Sequence, residues 1–139
     1  MAETTPQNIE IKPKQEKLSI IANKLISNTS GDETTQRHSI SSTLGILKAE
    51  ENLRLAEYRN TMYPSEDTKL LIAMATDQKN IASSFKDVLR FFRNNNLEEF
   101  DNTANMTQSA YSEAIELGFN AQDLETTLLE LKPMLNRVI

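Results

Sequence analysis

Apolar side chains recur along this chain in steps of three and four, the spacing that gathers them on one face of a helix. Leu18, Ile21 and Leu25, widened by Ile20, Ala22 and Ile26, predict a first helix over about 14–28. A second helix, running to Met62, carries Ile40, Leu44, Leu47, Leu55, Tyr58 and Met62 on one stripe. A third, to about Arg93, carries Leu70 or Leu71, Met74, Ile81, Phe85, Val88 or Leu89, and Phe92. Leu97, Phe100, Ala104, Tyr111, Ala114 and Ile115 mark a fourth, and Leu124, Leu128, Leu131, Leu135 and Val138 a fifth that Pro133 must kink or end.

The punctuation between these stripes is that of helix ends. Ser30 with Glu33 is a capping-box pattern, and Ser65 followed by Glu66 and Asp67 suits the positive end of a helix dipole. Asn94, Asn95 and Asn96 break the third helix, and Asn96 with Glu99 can open the fourth. Gly118 before Phe119 has the form of a Schellman stop, after which Asn120 caps the fifth helix. Short connections make neighbouring helices antiparallel. The predicted fold is all-α: an up-down antiparallel helical bundle of four main helices plus a short N-terminal helix, one domain over 14–139. Residues 1–13, polar and bracketed by Pro6 and Pro13, are expected to form a flexible tail.

One position breaks the second stripe. Between Leu47 and Leu55 the line of leucines passes through Glu51. If the second and third helices run antiparallel about the turn at 62–65, facing residue numbers sum to about 128, which puts Glu51 level with Asp77 or Gln78, the interruption of the third stripe. Three readings follow. Glu51 and Gln78 form a polar pair that sets register, with Arg54 or Lys79 nearby. Glu51, Asp77 and Gln78 line a small internal ligand site. Or the stripe is rotated, Leu53 or Leu55 carries the core, and Glu51 stands at a wet edge; helical drift against a seven-residue repeat favours this last reading.

Composition narrows the chemistry. The 139 residues include three glycines, four prolines, one histidine and no cysteine. Thiol chemistry and disulfides are excluded. His38 lies off the apolar stripe among polar neighbours, reads as a surface residue, and cannot complete a Glu-x-x-His di-metal set. Three scattered glycines build no phosphate loop. No metal or cofactor is expected, and no enzyme. The first residues lack an apolar leader core and no run approaches the ~20 residues of a membrane helix, so the expectation is a soluble, cytoplasmic protein without membrane contact.

Charge is lopsided. The net charge is −5, yet 94–131 contains no lysine or arginine and holds Glu98, Glu99, Asp101, Glu113, Glu116, Asp123, Glu125 and Glu130. Such an acidic face can steer a basic protein partner, or it can serve only solubility. It argues against nucleic acid. The lysines at 12, 14, 17 and 24 can reach the acidic face of a second copy, so a homodimer is also open. Phe91, between Arg90 and Arg93, is either covered at the end of the bundle or left exposed as an interface anchor; burial by neighbouring helix ends is the expected outcome. These features point to a non-enzymatic protein-interaction module that uses its acidic C-terminal helices or the Phe91 end. A sensor or carrier with a small ligand in the Glu51–Asp77–Gln78 layer is the alternative.

Overall fold

The computed structural model describes residues 6–29 and 31–136. The protein is an all-α bundle of five helices: α1 (Pro6–Asn28), α2 (Glu33–Met62), α3 (Glu66–Phe92), α4 (Leu97–Glu116) and α5 (Ala121–Leu131). Short 3₁₀ turns at Asn94–Asn96 and Pro133–Asn136 precede α4 and follow α5. No strand occurs among the described residues.

Most helix ends follow local rules. Ser65 and Thr68 form a reciprocal capping box at α3, and Asn120 and Asp123 form another at α5. Gly118 takes φ +93°, and Phe119 N–H reaches back to the Ala114 carbonyl at 2.9 Å, the Schellman closure of α4. Pro133 ends α5 and a 3₁₀ turn takes over. Three ends differ from expectation. The cap of α2 is Asp32, whose carboxylate accepts from Thr35 N–H at 2.8 Å; Ser30 lies outside the described residues. Asn96 makes no cap bond to α4; its Nδ2 donates to Asp32 at 3.0 Å and so joins the starts of α4 and α2. Helix α1 begins at Pro6 rather than near residue 14, with Pro13 inside it, so 6–13 is helical; residues 1–5 lie outside the described residues.

The core sits among α1, the first half of α2, α4 and α5. Leu18, Ala22 and Leu25 from α1 meet Ile40 and Leu44 from α2, Ala110 and Ala114 from α4, and Leu124, Leu128 and Leu135. Helix α1 thus completes the core, and at 23 residues it is longer than the short N-terminal helix expected. Phe100 is completely buried, and Ser39 Oγ donates to its carbonyl at 2.6 Å, tying α2 to α4. Gly31, at φ +92°, turns the chain against Glu99, whose Cβ leaves only 2.9 Å for any side chain there.

Helix α3 contributes nothing to that core. Its main neighbour is α2, along which it runs antiparallel. The expected register is present: Asn60 accepts from the Thr68 hydroxyl at 2.8 Å, and Lys79 approaches Glu50 at 3.9 Å, numbers that sum to 128 and 129. The stripe is rotated, as helical drift favours, and of Leu53 and Leu55 it is Leu53 that turns inward. Where the two helices meet beyond the core, the buried apolar residues are Ala49, Ala56, Ala75 and Leu89, with Leu53 half-buried. Leu55, Tyr58 and Met62, expected to continue the α2 stripe into a core, are exposed.

Candidate functional site

The Glu51 layer is not where the pattern places it. Asp77 and Gln78 are exposed on α3. The half-buried Glu51 carboxylate instead accepts from the Tyr111 hydroxyl at 2.6 Å and from Ala121 N–H at 3.0 Å. It therefore holds α4 through Tyr111 and caps the first turn of α5, where orphan amide protons and the helix dipole favour a carboxylate. Arg54 donates to the same hydroxyl at 3.2 Å. Burial, with the Glu51 carboxylate second, pushes the Tyr111 phenol up to about 12. The physical reason for the glutamate in the leucine line is thus a helix N-terminus from elsewhere in the chain. Glu51, Asp77 and Gln78 do not meet at one site.

The acidic residues are divided among several tasks. Asp101 forms a two-pronged pair with Arg90 of α3, at 2.8 Å for each oxygen, and that guanidinium holds its carboxyl below the usual range. Asp123 caps α5, and Glu125 pairs with Lys48 at 2.9 Å. Glu99 packs its stem on Gly31. Glu98, Glu113, Glu116 and Glu130 are left exposed. Of these, Glu113 and Glu116 line a groove that also holds Lys17 and Ile20 of α1, and Glu113 shares a second one with Lys24. Lys17 and Lys24 of the basic cluster and part of the acidic face therefore lie side by side within one chain, which weakens the outward field of both.

Phe91 is exposed, contrary to expectation: it shows 76% of its surface, and its ring packs edge-on against Phe92 at 6.0 Å. Among the described residues no helix end covers it, because α4 turns back along α2 rather than over α3. The exposure continues along the helix. Of the stripe that the spacing assigns to a core, Leu70, Met74, Ile81, Val88 and Phe92 face outward, with Ile81 68% and Phe92 64% exposed, whereas Leu89, the alternative to Val88, is buried. Phe85 is half-buried at its edge. Helix α3 meets α2 through a different face, containing Ala75 and Leu89. Its apolar residues were legible in the sequence; that their partner is missing from the rest of the fold was not.

A cleft of about 240 Å³ lies between α2, α3 and α5, lined by Ile40, Leu44, Phe85, Leu128 and Leu135, with the Lys48–Glu125 pair at its wall. Gly45 also lines it, and nothing lies within 4 Å of where its Cβ would stand. None of Glu51, Asp77 or Gln78 takes part in it. Among the described residues no group of three His, Asp or Glu side chains converges in a way that could hold a metal ion, and no helix is long and apolar enough to cross a membrane. No protein-family model matches the chain, and neither curated proteins nor solved structures give a significant match to it.

Proposed function

We propose that this protein is a non-enzymatic interaction module whose docking surface is the outer face of α3. One observation carries the reading: Leu70, Met74, Ile81, Val88 and Phe92, apolar at helical spacing and interrupted at Asp77, are exposed, covered by nothing among the described residues. Single exposed apolar residues are ordinary, but a contiguous patch with two adjacent phenyl rings marks a contact surface. The acidic face is the weaker candidate, since Asp101, Asp123 and Glu125 are engaged within the fold and Glu113 and Glu116 have lysines beside them.

A photo-crosslinking side chain at Ser84, exposed beside the stripe, tests this in living cells against the same group at Asn102, exposed on α4. Adducts to protein from position 84 and not from 102 are expected. Equal labelling from both, or none from 84, overturns the assignment. Reversing the charge of Glu113 and Glu116 together is expected to leave those adducts unchanged.

The cleft beside Gly45 supports a second reading, a carrier of a small, mostly apolar molecule. Native mass spectrometry of the purified chain decides it: retained ligand mass that is lost in Gly45→Leu supports the carrier, and a clean chain mass counts against it.

A further inference from the structure

Resting on the interaction reading, we propose that the occupant of the α3 face is a second copy of this chain, packed antiparallel on a two-fold axis through Ile81. The face is arranged symmetrically about that residue. Met74 and Val88 each stand seven residues from Ile81, Leu71 and Phe91 ten, and Leu70 and Phe92 eleven. In an antiparallel pair of identical helices, Ile81 meets its own copy. Met74 of one chain then lies opposite Val88 of the other, and Leu70 opposite Phe92. Each exposed apolar residue of the stripe meets an apolar residue, the self-complementarity that an isologous contact requires, and the half-buried Phe85 at its edge is the exception, facing Asp77. Met74, Ile81 and Val88 also recur every seven residues, the repeat that keeps one seam facing a partner helix.

The rim allows the approach. Ala73, Asn80 and Ser84 flank one side of the stripe and Gln78 and Ala82 the other, small or uncharged residues that let two helices come close. Asp77 is the acid nearest the centre, and in this pairing it lies opposite Phe85 rather than its own copy, so like charges are kept apart. The area is sufficient. With about 200 Å² for each phenyl ring and somewhat less for each aliphatic chain, the exposed stripe amounts to an area on the order of 700 Å², close to the ~800 Å² per partner of a standard stable interface. The product is a four-helix layer in which the two α2–α3 hairpins cover each other.

The chain lacks cysteine, so single introduced thiols report the pairing. In sedimentation equilibrium at tens of micromolar, the wild-type chain is expected to be a dimer. Ile81→Glu is expected to be a monomer with unchanged helical circular dichroism. Ile81→Cys should oxidise to a covalent dimer. Met74→Cys alone should not, because two copies of residue 74 would lie fourteen residues apart, on the order of 20 Å along the pair, beyond disulfide reach; mixed with Val88→Cys it should. A monomeric wild type at 100 micromolar, a dimer that survives Ile81→Glu, or Met74→Cys dimers as abundant as those of Ile81→Cys would each overturn the antiparallel self-pairing. A monomeric wild type whose position-84 crosslinker captures a different protein overturns the second copy while leaving the interaction reading intact. A monomer with no adducts overturns both.

Discussion

The two ends of α2 have almost the same pattern of leucines and opposite surroundings. Around Ile40 and Leu44, helices α1, α4 and α5 close on the apolar stripe and bury it completely. Around Leu55, Tyr58 and Met62, α3 is the main neighbour among the described residues, and the stripe stays in solvent. The difference is one of length. Helix α2 has 30 residues and α4 only 20, about 45 Å against 30 Å, so α2 outruns the helices that cover it. Small residues shape how α3 packs on the overhang: Ala49, Ala56 and Ala75 let the two backbones approach, Leu89 is the large side chain buried between them, and Leu70, Met74, Ile81, Val88 and Phe92 stay on the outer face. Equal apolar content therefore yields a core in one region and a docking surface in the other.

The sharpest way to break this comparison is to truncate one residue in each region. Leu44→Ala, at a site that is only 2% exposed, should cost about 3 kcal/mol in denaturant unfolding, through lost transfer energy and a cavity. Ile81→Ala, measured at concentrations too low for association, should cost less than about 0.5 kcal/mol. Similar losses at the two sites would mean that α3 is packed into the core after all.

A smaller effect is expected where the regions join. Tyr111→Phe removes the donor to Glu51 and should lower stability by about 1 kcal/mol, as for a partly exposed hydrogen bond. It should also change the alkaline limb. Because the folded phenol titrates at about 12 against an ordinary 10.0, the folded chain holds that proton more tightly. The stability this adds is complete below pH 10 and is lost as pH rises towards 12. Thermal unfolding of Tyr111→Phe should lack that component.

In the core itself, Thr103 Oγ1 is buried and has no hydrogen-bond partner among the described residues. Thr103→Val keeps its shape and removes the unsatisfied hydroxyl, so a gain of up to about 1 kcal/mol is expected in the same unfolding assay. A loss would show that the hydroxyl has a role this geometry does not reveal. The smallest effect belongs to the surface link between α3 and α4. Arg90 holds Asp101 below the ordinary 3.8, and the Thr35 amide does the same for Asp32 at the α2 cap. Both carboxylates add stability that is present above that value and drains as pH falls through their lowered ones. Asp101→Asn should flatten the acid limb slightly by lowering neutral stability by that same small amount, since the pair is largely exposed.

How much of this was legible in the residues differs from element to element. Capping of α3 and α5, the Schellman stop at Gly118 and the end of α5 at Pro133 are local, and local signals found them. The antiparallel register of α2 and α3 followed from one tight turn. Glu51 could be recognised as unusual but not explained, because its partners, Tyr111 and the amide of Ala121, lie 60 and 70 positions away. Phe91 was misplaced for a related reason: burial at a helix end depends on where the next helix goes, and spacing within α3 carries no record of the path of α4.

By itself, then, the amino-acid sequence determined five helices, most of their ends and the residues that make each one amphipathic, since these depend on neighbours within a turn or two. Only the tertiary structure decided which apolar face found a partner. Burial is settled by the lengths and crossing of helices distant in the chain, and by whether small residues let two of them approach. For α3, those long-range terms left the stripe from Leu70 to Phe92 uncovered, and that uncovered face is what the proposed function rests on.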